Sequence, residues 1–130
     1  MMESVTKQKV RQRAGDRCEY CQLAQKHSPI AALQIDHIVP RKHGGSDELD
    51  NLALACIDCN LAKSCNLAGL DPTTGELTAL FHPRKDKWEE HFVFAGLLIV
   101  GKTSTGRATV EVLNMNSDFQ CELRAALSES

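Results

Sequence analysis

Apolar positions along this chain fall into short groups rather than long periodic runs. Val5, Val10 and Ala14 have loose helical spacing. Ser4 stands where an N-cap belongs, and Gly15 with Asp16 supplies a stop, so a helix is predicted from Ser4 to about Arg13. The stretch Ala31 to Val39, with Leu33, Ile35, Ile38 and Val39, reads as a strand or half a hairpin that Pro40 ends. Arg41 to Asp50 is polar, carries Gly44 and Gly45 together, and is read as a loop. Leu52 to Ala55 is a second short strand, followed by a helix from about Ile57 to Leu67. Asp71-Pro72-Thr73-Thr74-Gly75 then breaks the chain sharply. Beyond it, Phe92 to Val100 and Ala108 to Leu113 are predicted as strands joined by a turn around Ser104 to Gly106, and Asp118 to Leu127 as a helix. The sequence has no internal repeat and no low-complexity segment.

A length of 130 residues and 42% hydrophobic positions suit one domain, 1–130, with an ordinary core. The longest apolar run, Phe92 to Val100, contains Gly96 and falls far short of the roughly 20 residues that span a bilayer. Met1 to Arg17 is charged and lacks the apolar stretch of a secretory signal, so a cytoplasmic protein without membrane contact is expected. Net charge is only -2, unlike a strongly basic nucleic-acid binder. Its distribution adds a little. Lys7, Lys9, Arg11, Arg13 and Arg17 make the N-terminal segment basic and Arg41 with Lys42 forms a second focus, though a solvated helix face explains the same charges.

The cysteines change the picture more. Six occur in a chain without an export signal, where thiols or metal ligands are expected ahead of disulfides. Cys18-Glu19-Tyr20-Cys21 and Cys56-Ile57-Asp58-Cys59 are two Cys-x-x-Cys pairs, and each places two thiolates on a tight turn at the separation one tetrahedral zinc requires. Redox pairs or buried thiols are the other readings of such spacing. Four sulfurs leave no open position for water, so the zinc is expected to be structural. Cys65 and Cys121 are unpaired by pattern and read as plain thiols.

Around and between the pairs run Asp36-His37-Ile38, Gly44-Gly45, Asn51-Leu52 and Cys59-Asn60-Leu61-Ala62-Lys63. Over roughly Arg13 to Leu67 this series resembles the HNH endonuclease family with its ββα-metal fold, in particular the subgroup with flanking cysteine pairs. Leu80-Phe81-His82-Pro83-Arg84, Trp88-Glu89-Glu90-His91-Phe92 and Gly106-Arg107-Ala108-Thr109 are similar to the tail of some short bacterial HNH proteins. The tail carries no catalytic cluster of its own.

The resemblance implies a set of roles. His37 corresponds to the general base, and an imidazole with its ordinary pKa of about 6.5 can take a proton from water near neutrality. Asp36, its neighbour on an extended segment, points to the opposite face and corresponds to a metal ligand. Asn60 stands where many relatives carry His and others, including the RNA-guided CRISPR effector nucleases, carry Asn. Asp plus Asn oxygens suit Mg²⁺ or Mn²⁺ better than zinc. Asn51 corresponds to the middle Asn that holds the loop and orients the His backbone. Lys63, one turn beyond Asn60, corresponds to a phosphate contact. Ser64 departs from the Gly that many relatives place after the Lys. His43, His82 and His91 lie outside the motif and are read as loop or packing residues, and His27 as exposed.

The expectation is therefore an α+β chain: a ββα-metal core over about 13–70 stapled by a zinc on four cysteines, and a strand–strand–helix extension over about 71–130. Its function is expected to be Mg²⁺- or Mn²⁺-dependent hydrolysis of DNA phosphodiester bonds. The alternative is a zinc-stabilised nucleic-acid-binding module that does not cut. A redox or zinc-storage role would leave Asp36, His37 and Asn60 idle.

Overall fold

The computed structural model describes residues 3–28 and 31–128. Among these residues it is a mixed α/β structure whose strands form three separate two-stranded antiparallel sheets, each a hairpin. Helix α1, Ser4–Ala14, leads into the first knuckle and buries Val10. Glu3 occupies the N-cap position without a side-chain cap and Ser4 is the first helical residue, so the predicted serine cap is corrected; Gly15 in the left-handed region ends the helix as its sequence suggests.

Strands β1, Gln34–His37, and β2, Leu52–Ala55, pair antiparallel with Ile35 opposite Leu54 and His37 opposite Leu52. All four β2 residues are buried, which explains why the strand reads as a continuous apolar run rather than an alternation. Helix α2, Ile57–Lys63, follows and completes a ββα unit. It is one turn shorter than predicted: Ser64 at φ 49°, ψ -129° terminates it, and the chain turns into β3, Ala68–Leu70, instead of continuing to Leu67. The Asp71 to Gly75 break proves to be the turn of a hairpin, which pairs β3 with β4, Leu77–Ala79.

The C-terminal extension departs from the predicted strand pair. After α3, Trp88–His91, the stretch from Phe92 folds into two strands, β5, Phe92–Ala95, and β6, Leu98–Gly101, turning at Gly96. Ala108 to Leu113 is not a strand but the body and C-cap of α4, Ser104–Val112. Thr103 caps it by accepting from the Gly106 amide at 3.0 Å, and Ala108 and Thr109 face inward one helical spacing ahead of Val112 and Leu113. A Cβ on Gly106 would collide with the His91 carbonyl, so α4 approaches α3 only because this residue is glycine. Helix α5, Asp118–Ser128, lies where the pattern put it. Val10, Leu33, Leu52, Leu54, Phe81, Phe92, Ile99, Leu113 and Met115 belong to one buried cluster that joins the ββα unit to the extension. No helix of the described residues is long and apolar enough to cross a membrane.

Candidate active site and its zinc staple

Cys18, Cys21, Cys56 and Cys59 are brought together from the two knuckles, all buried and with their sulfurs within 4.8 Å of one another. The 3.6 Å between the Cys21 and Cys56 sulfurs approaches the edge of a tetrahedron built on Zn–S bonds of about 2.3 Å. In each knuckle the second cysteine's backbone amide donates to the first cysteine's sulfur at 3.4 Å, a neutral donor that stabilises thiolate. Hydrogen bonds from its three neighbours hold the Cys56 thiol far below its ordinary range, while the same sharing and burial push Cys21 and Cys59 up. Four thiols this close cannot all ionise without a cation among them, and the donor set fits zinc. Cys65 and Cys121 stand apart from the cluster and are half-buried.

The extension grips this staple. Glu19, inside the first knuckle, pairs with Arg84 and accepts from the Leu54 amide at 2.8 Å with its other oxygen. The Trp88 indole donates to the Tyr20 carbonyl at 2.7 Å. Gln120 of α5, 3% exposed, directs its amide nitrogen at Cys56 Sγ, 3.9 Å away, and at Asp58 Oδ2, 3.1 Å away.

Strand alternation separates Asp36 from His37. Asp36, only 5% exposed, points inward, where the Tyr20 hydroxyl donates to Oδ2 at 2.7 Å. Lys63, 2% exposed, sets its ammonium 3.2 Å from Oδ2 and 3.3 Å from Oδ1 and also donates to the His37 and Ile38 carbonyls at 3.1 and 3.2 Å. Burial raises the Asp36 carboxyl above its ordinary pKa, against the opposing pull of Lys63 and Tyr20. Burial and the Asp36 charge push the Tyr20 phenol well up, so it stays a donor. The Lys63 head is thus turned inward in this conformation, away from any external phosphate.

His37 faces the other way, with its Nε2 2.7 Å from Asp47 Oδ1. Arg41 donates to both Asp47 oxygens through Nη2, at 2.9 and 3.1 Å, and to Oδ1 through Nε at 3.2 Å. These hydrogen bonds, His37's first and Arg41's second, hold the Asp47 carboxyl below its usual range. No partner for His37 Nδ1 occurs among the described residues. Asn51 bolts the intervening loop. Its side chain accepts from the Val39 amide at 2.9 Å and donates to the Val39 and Ser46 carbonyls at 2.9 and 2.8 Å, while its backbone carbonyl takes the Ile38 amide at 2.9 Å. Gly45 fits beneath this clamp because a Cβ there would collide with the Val39 carbonyl oxygen.

Asn60, on α2, donates its side-chain amide to Gln34 Oε1 at 2.6 Å. Gln34 and Asp36 share a face of β1, so Asn60 and Asp36 are served from one side of the hairpin, each engaged with protein partners. An Asp–Asn oxygen pair has the chemistry for a hard divalent ion, but Asp36 is already satisfied by Tyr20 and Lys63; the ammonium must withdraw before an ion can bind there. Four residues of this site escape the sequence reading: Tyr20, Gln34, Asp47 and, as a partner of Asp47, Arg41. Tyr20 is the chain's single tyrosine and lies within a Cys-x-x-Cys pair, a legible signal; an aspartate two residues after a Gly-Gly turn carries none.

Residues 18–66 match the model of the HNH endonuclease family. Over 91 residues, 61% of the chain, the sequence is 32% identical to the Septu protein PtuA of Bacillus mycoides (strain KBAB4). The chain covers 13% of that protein's length. No solved structure matches.

Proposed function

We propose, from the match of residues 18–66 to the HNH endonuclease family model, that the protein is a metal-dependent endonuclease hydrolysing DNA phosphodiester bonds. The observation that carries this reading is the division of labour across β1, which turns a buried carboxylate, Asp36, to one side and an imidazole, His37, whose Nδ1 has no partner among the described residues, to the other. His37 takes the proton of the attacking water. Asp36 and Asn60 supply oxygens for Mg²⁺ or Mn²⁺, which when bound stabilises charge developing on the phosphate and the leaving 3′ oxygen. Asn51 fixes the backbone on either side of the base, and Lys63, once released from Asp36, is the phosphate contact. Products carry 5′ phosphate and 3′ hydroxyl. The whole chain acts as one unit, in the cytoplasm, where the six free cysteines stay reduced.

One observation favours a second reading. The saturation of Asp36 by Lys63 and Tyr20 suits a zinc-stabilised nucleic-acid-binding module that has no use for a catalytic ion. A plasmid-nicking assay on purified protein with Mg²⁺, Mn²⁺ or chelator separates the two. His37→Ala is expected to slow nicking by about 10²–10⁴-fold with zinc content and DNA binding retained. Asp36→Ala is expected to abolish nicking, with partial recovery at high Mn²⁺ that His37→Ala does not share. Equal nicking by the parent and His37→Ala refutes the mechanism; DNA binding without nicking by the parent establishes the second reading.

A further inference from the structure

The His37 imidazole is held on one edge only. Nε2 meets Asp47 at 2.7 Å, and Nδ1 has no partner among the described residues. A carboxylate only accepts, so Nε2 must carry the hydrogen, and in the neutral ring that leaves the lone pair on Nδ1. We propose that Asp47 is a positioning residue for the His37 base, selecting the Nε2–H tautomer and presenting Nδ1 as the proton acceptor. This inference rests on the nuclease reading above.

An exposed His–Asp pair by itself would be worth little, since solvent and salt screen the attraction. The placement of Asp47 is what distinguishes it. The loop that carries it is fixed by Asn51, which is buried and bonded to Val39 on one side and Ser46, the residue before Asp47, on the other. Gly45 packs against the Val39 carbonyl with no room for a side chain. The carboxylate's orientation is set in turn by Arg41, which touches both of its oxygens. Asp47 is therefore delivered to Nε2 by the loop framework, and little conformational entropy is lost in making the contact.

The chemical step balances on these atoms. Water's oxygen forms the new bond to phosphorus as its proton moves to Nδ1, and the bond from phosphorus to the 3′ oxygen breaks with its electron pair leaving on that oxygen, which solvent protonates. The imidazolium keeps its Nε2 hydrogen on Asp47, whose negative charge faces the positive charge formed in the ring. Asp47 itself never takes the proton.

The test compares turnover of the full-length parent with Asp47→Asn and Asp47→Ala at saturating Mg²⁺, and reads the His37 ring by two-dimensional ¹⁵N–¹H NMR without paramagnetic ions at about pH 8, where imidazole is ordinarily neutral. In the parent, His37 is expected as a single Nε2–H tautomer. Asp47→Ala is expected to show mixed tautomers and a kcat lowered by roughly 10–100-fold with KM changed less than about twofold, because orientation of the base is felt mainly in the transition state. Asp47→Asn, whose amide oxygen still accepts, is expected to recover most of the lost kcat. A parent ring protonated on Nδ1, an Asp47→Ala ring still fixed as Nε2–H, or turnover in Asp47→Ala equal to or faster than the parent's overturns the inference; the last would mark Asp47 as a cover over the base. A parent that does not nick at all overturns the nuclease reading instead, and the NMR comparison, which needs no turnover, still decides whether Asp47 sets the tautomer.

Discussion

Replacing Lys63 with Met is the perturbation that most directly probes the interior of the site. The substitution keeps an unbranched side chain, one atom shorter, and removes the cation that faces Asp36 at 3.2 Å. At that distance and an effective dielectric of about 20, the Coulomb attraction is roughly 5 kcal/mol. The His37 and Ile38 carbonyls lose a donor as well. Breaking a buried pair from one side costs about 3–5 kcal/mol, since the carboxylate remains without its partner. For a chain of this size that corresponds to a fall in Tm of roughly 10–20 °C. The pH dependence has a definite sign. Asp36 is already raised above its unfolded value, so the folded state holds its proton to higher pH than the unfolded chain, and stability falls as pH rises from about 4, the unfolded carboxylate range, up to the folded pKa. Without Lys63, whose charge lowers that pKa, the fall continues to higher pH, so the variant's deficit relative to the parent widens as pH rises above the ordinary carboxylate range. Urea unfolding of zinc-loaded parent, Lys63→Met, Asp36→Asn and the double variant measures both the deficit and the coupling. The double variant is expected to regain at least about 2 kcal/mol of the single variant's loss, since it leaves no buried charge unpaired. A Lys63→Met deficit below about 1 kcal/mol that is flat with pH and uncoupled to Asp36 would refute the reasoning.

Three further outcomes concern the staple and the extension. Cys59→Ser is expected to lose bound zinc and most of the cooperative melting transition, whereas Gln120→Ala is expected to fold and to weaken zinc retention by about 10-fold in chelator competition, through Cys56 alone; unchanged zinc in either one contradicts the assigned contacts. Arg107 binds Asp71 at 2.9 and 2.8 Å and holds its carboxyl well below the usual range, a contribution that is present above about pH 4 and is lost as pH falls through the depressed value. Arg107→Gln should therefore melt lower than the parent at pH 7 by a margin that narrows in acid; a margin independent of pH would show that the pair's charge is irrelevant.

The ββα unit is legible in the sequence because its signals are local or strictly spaced: two Cys-x-x-Cys turns, Pro40 after β1, Gly-Gly in the loop and an apolar run in β2. Its helix reads too long because the backbone reversal falls on Ser64, a serine in the positive-φ region where the stop would ordinarily be marked by glycine. Ala108 to Leu113 misleads for a different reason. Thr109, Val110 and Val112 favour strand by propensity, while the helix is decided by the Thr103 cap and by packing of Ala108 and Thr109 against the hairpins. The pairing of the extension with the knuckles is not legible in the sequence, although the segments that hold Arg84 and Trp88 stand out in it. Glu19 with Arg84 and Tyr20 with Trp88 lie 65 and 68 positions apart, and each residue taken alone is an ordinary surface or core type. Asp47 is hidden similarly, since its meaning lies only in its distance to an imidazole ten residues earlier.

Tyr20 spans the space between two chemistries. Its backbone belongs to a knuckle and its hydroxyl ends on Asp36 Oδ2. The ring is a rigid strut of fixed length, so any slackening of the knuckle is carried as a displacement at the carboxylate's hydrogen-bond donor. A chelator selective for zinc should for that reason disturb the environment of Asp36 without touching it, and grafting a foreign Cys-x-x-Cys turn of equal zinc affinity but lacking the aromatic residue would restore the staple while leaving Asp36 Oδ2 to Lys63 alone, without its hydroxyl donor.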